Sequence, residues 1–159
     1  MFGRKGRETS FESLLRRQED RVYRIGLAIL GNVQDAEDLT QETFLKYLEK
    51  RPRFENEAHE KAWFITVARN GAITRLRASH RRELPLELEI PTPGPEEREE
   101  LEELYALPPE DREVIHLYYY EGWSTGEIAR MTGSREGTVR SRLSRARGKL
   151  KKLLEEVEA

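Results

Sequence analysis

Apolar side chains near the start of the chain recur at the three- and four-residue steps of an amphipathic helix. The repeat consists of Phe11, Leu14, Leu15, Val22, Ile25 and Ile29. Gly31 and Asn32 follow it, and glycine favours the left-handed backbone that ends many helices. The sequence therefore predicts a first helix that ends at Gly31-Asn32 and buries one face.

The next stretch predicts a second helix, because both its charges and its apolar side fit one. Acids stand in its first turn and basic residues in its last, which suits the helix dipole, and Pro52 stops it. The predicted buried side consists of Ala36, Leu39, Thr43, Phe44, Tyr47 and Leu48. The other side consists of Asp38, Gln41, Glu42 and Leu45. A solvated surface is the ordinary role of such a side.

A third helical stretch is predicted from about Glu57 to His80, with a weak point in its middle. Its predicted core residues are Trp63, Phe64, Val67, Ala68, Ile73 and Leu76. Asn70-Gly71 interrupts the pattern, and a glycine inside a helix costs about 1 kcal/mol relative to alanine. The stretch is therefore expected to be a bent helix or two helices rather than one regular helix.

Residues 84–100, LPLELEIPTPGPEEREE, have the composition of a flexible linker. Prolines and glutamates dominate the segment, so it cannot bury enough apolar surface to order itself. Helical periodicity resumes at Leu101, and no part of the chain alternates as a strand does. We therefore predict an all-α fold of two small helical domains, residues 8–82 and 101–157, joined by a flexible, acidic, proline-rich linker at residues 83–100.

The segment STGEIARMTGSREGTVRSRLSRARGKL has the pattern of a helix-turn-helix. Ser124 and Glu127 have the spacing of a capping box, which would start a helix. Gly133 can end that helix, and Ser134 can cap the next one. One face of that second helix, predicted to be buried, consists of Val139, Leu143, Ala146 and Leu150. The opposite face consists of Gly137, Ser141, Ser144 and Gly148, flanked by Arg140 and Arg145. Small residues let a helix enter the major groove of DNA, and arginines can reach guanine edges or phosphates.

Simpler interpretations compete with DNA binding in this half of the chain. A basic helix is often only a solvated surface, but here the capping box, the turn glycine and the small-residue face agree independently. The aromatic residues Tyr118, Tyr119, Tyr120 and Trp123 could stack on bases, but no basic residue is interleaved with them. Core packing is therefore the favoured role for most of these four.

Charge is segregated along the chain, although the formal net charge is only −2 at pH 7. Basic residues cluster between Arg69 and Arg82 and again between Arg135 and Lys152, while glutamates dominate residues 83–103. Two cationic surfaces on either side of an acidic connector favour a nucleic-acid partner.

The composition also excludes several kinds of chemistry. The chain has no cysteine, so disulfides, thiolate metal sites and cysteine nucleophiles are impossible. The histidines His59, His80 and His116 are isolated, and no phosphate-binding glycine loop or metal-ligand spacing occurs. We therefore expect a protein that is not an enzyme and needs no cofactor or metal. Without a signal peptide or an apolar run of roughly 20 residues, it is expected in the cytoplasm and not inserted in a membrane.

Three segments resemble the extracytoplasmic-function (ECF) group of the sigma-70 family of bacterial RNA polymerase sigma factors. LPPEDREVIHLYYYEGWSTGEIARMTGSREGTVRSRLSRARGKLKKLL is similar to region 4 of these factors almost from end to end. DAEDLTQETFLKYL resembles the polymerase-binding helix of their region 2, and AWFITVARNGAITRLR resembles their promoter −10 helix. The resemblance implies region 2 at residues 8–82, region 4 at residues 101–157, and promoter-specific transcription initiation as the function.

The resemblance also implies protein partners. Region 2 would dock on the clamp helices of the β′ subunit of core RNA polymerase through Asp38, Gln41 and Glu42, and region 4 would sit on the β flap. Many similar proteins are held inactive by an anti-sigma factor, so such a partner is expected here too.

Promoter DNA would be contacted at two elements. At the −10 element the implied residues are Phe54, Arg69, Asn70, Thr74, Arg75 and Arg77. Asn70 would capture a flipped base, with Phe54 as a stacking partner, while the arginines hold phosphates. At the −35 element the implied residues are Arg140, Ser141, Ser144 and Arg145. The family usually has a larger apolar residue in place of Gly71 and often an aspartate in place of Thr74, and Asn70 could instead end a helix.

Two other classes of protein remain as alternatives. An autonomous helix-turn-helix repressor or activator, with a sensing or dimerising N-terminal half, would bind duplex DNA alone with a Kd of about 10⁻⁸ M or tighter. A sigma-like protein could instead bind polymerase without initiating. A sigma factor should need core polymerase for promoter binding, which separates it from the repressor or activator. Run-off transcription separates it from a protein that binds polymerase without initiating.

Overall fold

The computed structural model describes residues 10–81 and 104–158, and its helices confirm the predicted all-α fold. Three long helices form an N-terminal bundle: α1 (Ser10–Leu30), α2 (Val33–Lys50) and α3 (Glu57–Arg81). The C-terminal unit consists of α4 (Pro109–Ile115), a π-helix (His116–Tyr120) that continues it, α5 (Thr125–Thr132) and α6 (Glu136–Glu158). The predicted linker, residues 83–100, and the outermost residues of both predicted domains lie outside the described residues.

Local sequence signals end the first helix and start the second where they were expected. α1 ends at Leu30, and Gly31 follows in the left-handed conformation with φ of 67°. Asn32 caps α2, because its side chain accepts a hydrogen bond from the backbone amide of Asp35 at 2.9 Å. Arg51 adopts a left-handed φ of 42° after the last residue of α2 and turns the chain towards α3.

α3 runs through Asn70-Gly71 as one helix, so the expected division into two helices is wrong. The glycine serves packing instead. A Cβ atom at Gly71 would lie 2.7 Å from Leu39 Cδ1, and one at Gly26 of α1 would lie 2.7 Å from Leu39 Cδ2. Leu39 is 1% exposed and is inserted between α1 and α3, and a side chain at either glycine would require it to shift.

Aromatic rings fill much of the bundle core. The ring of Phe64, which is fully buried, lies 4.9 Å from that of Trp63 and 5.2 Å from that of Phe44 between centroids. Most of the predicted core positions are confirmed as buried, among them Leu14, Val22, Ile25, Ile29, Ala36, Leu39, Thr43, Phe44 and Ala68. Ile65 and Ala72 are also buried, although the pattern did not predict them.

The C-terminal unit contains the predicted helix-turn-helix. Ser124 Oγ accepts from the backbone amide of Glu127 at 3.1 Å, and the Glu127 carboxylate accepts from the Ser124 amide at 3.2 Å, which confirms the capping box. Gly133 ends α5 with φ of 69°. The prediction that Ser134 caps α6 is off by one residue, because α6 begins at Glu136. Ser134 Oγ instead accepts a hydrogen bond from Arg142 at 3.5 Å.

The two units pack against each other at the end of α1. The Tyr105 hydroxyl donates to the Leu27 carbonyl at 3.2 Å, and Arg112 of α4 donates to the carbonyls of Ala28 and Ile29 at 2.6 and 2.8 Å. A cluster of buried apolar residues extends from the bundle into the C-terminal unit. The two predicted domains therefore contact each other directly.

Candidate nucleic-acid and protein-binding surfaces

α6 presents the predicted small-residue face to solvent. The exposed residues of this α6 face are Gly137, Arg140, Ser141, Ser144, Arg145 and Gly148. On the opposite side Val139, Leu143 and Ala146 are at most 2% exposed, so burial fixes which face points outwards. The structure thus brings Arg140, Ser141, Ser144 and Arg145 together on one surface that could enter a DNA groove.

The two arginines of the α6 face are held by carboxylates. Arg140 pairs with Glu136 at 3.2 Å, one turn earlier on the same helix. Arg145 pairs at 3.0 Å with Asp111 of α4, whose side chain is fully buried. Arg135 and Arg142 line an open groove beside this face. Arg135 and Arg142 flank the predicted face, so helical periodicity does not assign them to it, although they belong to the same basic run of the sequence.

The predicted −10 residues other than Phe54 lie along α3, where Asn70, Thr74 and Arg77 are exposed. Arg75 donates to Glu42 of α2 at 2.5 Å. Arg69 is more enclosed: its Nε donates to Glu113 of α4 at 2.7 Å, and the two side chains are 18% and 4% exposed. Burial raises the pKa of Glu113 above its usual value, in spite of the opposing effect of Arg69.

Phe54 is half-buried in the loop before α3 and packs on other aromatic rings. Its ring lies 6.3 Å from Tyr47, stacked, and 6.0 Å from Trp63, edge to face. Phe54 also packs on His59 and Phe64, and among the described contacts none joins it to Asn70.

The outer side of α2 forms an exposed surface, here called the α2 face, made of Asp38, Gln41, Glu42 and Leu45. Gln41 and Glu42 are exposed, and Asp38 is half-buried and accepts a hydrogen bond from Gln34 at 2.9 Å. Leu45 is 58% exposed, so the α2 face also presents an apolar side chain at one end. A polar and acidic surface that includes an apolar side chain is suited to binding a protein.

The expectation that most of the aromatic residues before the helix-turn-helix lie in the core is wrong for two of them. Tyr119 and Tyr120 are 58% and 51% exposed, while Tyr118 and Trp123 are half-buried. The prediction rested on the lack of basic residues interleaved with these rings in the sequence, which does not exclude arginines that other helices bring to them. The exposed rings contact arginines: Arg147 lies 5.4 Å from the Tyr119 ring and Arg24 5.2 Å from the Tyr120 ring.

The fold and these surfaces define a class of protein, a helical DNA-binding protein with a helix-turn-helix and a second basic helix. Among the helices that the structure describes, none is long and apolar enough to cross a membrane. Within the same residues no group of three potential metal ligands occurs.

Comparisons with known proteins define the class further. Residues 14–82 match the model of sigma-70 region 2, and residues 98–150 match that of sigma-70 region 4. SigL of Mycobacterium tuberculosis, an ECF RNA polymerase sigma factor, is 34% identical over 148 residues, which are 86% of this chain and 84% of SigL. The probable RNA polymerase sigma factor RfaY of Xanthomonas campestris is 36% identical over 145 residues, 81% of this chain, but the match spans only 36% of RfaY.

A solved structure agrees with these matches. The sigma factor RpoE of Bartonella quintana, in complex with the anti-sigma factor NepR, superposes with a TM-score of 0.79 at 28% identity, over 91% of this chain and 96% of RpoE. The chain therefore belongs to the sigma-70 family of RNA polymerase sigma factors, in the ECF group, whose function is promoter-specific transcription initiation.

Proposed function

We propose that this protein docks on the β′ clamp helices of core RNA polymerase through the α2 face and directs the enzyme to promoters through α3 and α6. The observation that carries the proposal is the exposure of Gln41, Glu42 and Leu45 on one side of α2. A repressor that binds its operator alone has no use for this surface, whereas a sigma factor needs one.

In this proposal polymerase holds two DNA contacts at the required separation. Arg140, Ser141, Ser144 and Arg145 of the α6 face recognise the −35 duplex. Asn70, with Thr74 beside it, binds a flipped base of the −10 strand against Phe54, and Arg69, Arg75 and Arg77 bind phosphates. The exposed positions of Asn70, Thr74 and Arg77 on one helix support this assignment.

Further protein partners follow from the family. The C-terminal unit sits on the β flap, and an anti-sigma factor binds the protein as NepR binds the related RpoE. RNA polymerase acts in the cytoplasm, so this role places the protein there, as an initiation factor and not as an enzyme.

The decisive experiment measures holoenzyme formation and run-off transcription with purified core polymerase. The double variant Gln41→Lys, Glu42→Lys should weaken core binding by about 30-fold or more, since it reverses the charge of the α2 face. Glu19→Lys, an exposed charge reversal on α1, is the matched control and should bind normally. Unchanged core binding by the double variant would refute the docking surface, and operator binding without polymerase would favour a repressor.

A further inference from the structure

Three consecutive charged residues of α4 are buried, which is costly unless each has a partner. Asp111, Arg112 and Glu113 are 0%, 5% and 3% exposed. Each is bound to a different helix: Asp111 to Arg145 of α6, Arg112 to the end of α1, and Glu113 to Arg69 of α3. The Asp111 pair lies within the C-terminal unit, whereas Arg112 and Glu113 connect that unit to α1 and α3 of the bundle.

Arg112 satisfies the open end of α1. The last turn of α1 contains no basic residue, and its carbonyls carry the negative end of the helix dipole. Arg112 donates to Ala28 O at 2.6 Å and to Ile29 O at 2.8 Å, and its third hydrogen bond, to Leu107 O at 2.6 Å, fixes the guanidinium within its own unit. A cation from one unit thus caps a helix of the other.

Glu113 pairs with the guanidinium of Arg69, which would otherwise be available to bind −10 DNA. Arg69 Nε is 2.7 Å from Glu113 Oε1, and the Arg69 side chain is only 18% exposed. A second pair nearby joins the same two units, since Arg21 Nε lies 2.9 Å from the carboxylate of Glu121, whose side chain is 2% exposed. An arginine enclosed in this way cannot bind a phosphate at the same time.

We propose that Arg112 and Glu113 form an autoinhibitory clasp in the free protein: Arg112 holds the C-terminal unit on the bundle, and Glu113 withholds Arg69 from DNA until the units separate. The proposal rests on the proposed role of Arg69 in −10 binding. When the units separate, water solvates the released charges and carbonyls. The surface exposed by opening the clasp is therefore partly polar, which makes opening less costly.

The absence of native cysteine allows the closed form to be measured by energy transfer between two dyes. We place them on cysteines that replace Lys46 of α2 and Lys149 of α6, both exposed. Arg112→Gln should lower the transfer efficiency of the free protein, with a closed-to-open ratio reduced about tenfold or more. Arg130→Gln, which removes an exposed charge from α5, is the matched control and should leave the transfer unchanged.

A charge swap tests the Arg69–Glu113 pair itself. Glu113→Arg should open the protein, because it places two guanidinium groups at the distance of an ion pair. Adding Arg69→Glu should close it again, a rescue that a general loss of packing would not give. Circular dichroism identifies any variant that does not fold, and if Arg112→Gln fails this check the charge swap decides.

The last measurement is polymerase-free binding of a labelled single-stranded oligodeoxynucleotide of mixed sequence. Arg112→Gln should bind it about three- to tenfold more tightly than the unmodified protein although it has lost a positive charge, and adding Arg69→Ala should abolish the gain. Unchanged transfer in both Arg112→Gln and Glu113→Arg would overturn the clasp. If the units separate without a gain in DNA binding, the proposal that the clasp withholds Arg69 from DNA is overturned. The proposed function is decided separately, by the core-binding assay.

Discussion

Two buried glutamates, each paired with an arginine, show how the bundle differs from the contact between the two units. Within the bundle, Glu60 accepts hydrogen bonds from Arg17 at 3.0 and 3.1 Å and from Gln18 at 2.8 Å. Burial raises the pKa of Glu60, but these hydrogen bonds outweigh burial and hold the pKa below its usual value. Between the units, burial also raises the pKa of Glu113, and Arg69 does not outweigh it.

The two contacts therefore differ in how readily they open. The bundle pair is well compensated, and the core of the bundle is apolar, so opening the bundle would expose surface that water does not favour. The pair between the units is poorly compensated, and its carboxylate gains hydration when the units separate. We therefore expect the bundle to be permanent and the contact between the units to be reversible.

The largest effect is expected from a cavity in the bundle. Phe64→Ala should lower the free energy of unfolding by about 3–5 kcal/mol, because the ring is fully buried among other rings. Denaturant unfolding of the free protein measures it. Leu45→Ala, at a position that is 58% exposed, is the control and should change the free energy by less than about 0.5 kcal/mol. Equal losses in the two variants would contradict the permanent core.

An intermediate effect is expected when the charged contact is made apolar. The double variant Arg21→Met, Glu121→Leu replaces a pair joined at 2.9 Å by apolar groups, which is often neutral or stabilising by about 1–4 kcal/mol. The closed form should become more persistent, so dye-to-dye transfer should rise and polymerase-dependent run-off transcription should fall.

Single variants at the same pair separate the effect of charge from that of packing. Arg21→Met alone leaves Glu121 facing Lys61 at 4.0 Å and should weaken the contact, the opposite of the double variant. If the double variant transcribes as well as the unmodified protein, separation of the units is not required for initiation.

Sequence reasoning predicted most of the helices because their signals are local. The capping box of Ser124 and Glu127 and the buried stripe of Val139, Leu143 and Ala146 depend on residues within one or two turns. Arg112 was missed because its acceptors, Ala28 and Ile29, are more than 80 residues away in sequence. Periodicity assigns a residue to a face but does not say which distant group it meets there.

The same limit applies to the candidate sites. The α6 face and the α2 face were predicted because exposure follows from position on one helix. The carboxylates that hold Arg69 and Arg145 were not predicted, because Glu113 and Asp111 belong to a helix whose neighbours only the tertiary structure defines. Tyr119 and Tyr120 were misassigned because the arginines that contact their rings, Arg147 and Arg24, belong to other helices and are distant in sequence.

The smallest effect, and the one that tests the two glutamates directly, depends on pH. Because its folded pKa is lowered, Glu60 contributes stability that is present above its unfolded pKa of about 4.3 and is lost as the pH falls through the folded value. Glu60→Gln should therefore lower the free energy of unfolding by about 1–2 kcal/mol at pH 7, and the loss should shrink at pH values below about 4.

Glu113→Gln has the opposite sign, because the folded pKa of Glu113 is raised. A raised carboxyl pKa means that the folded state binds the proton more tightly than the unfolded state, so the buried carboxylate is a cost above that pKa and is relieved as the pH falls. The glutamine should therefore leave the free energy of unfolding at pH 7 unchanged or slightly higher. If Glu60→Gln and Glu113→Gln lower the free energy of unfolding equally at pH 7, the two pairs are equally compensated. Electrostatics would then give no reason to distinguish a permanent bundle from a reversible contact.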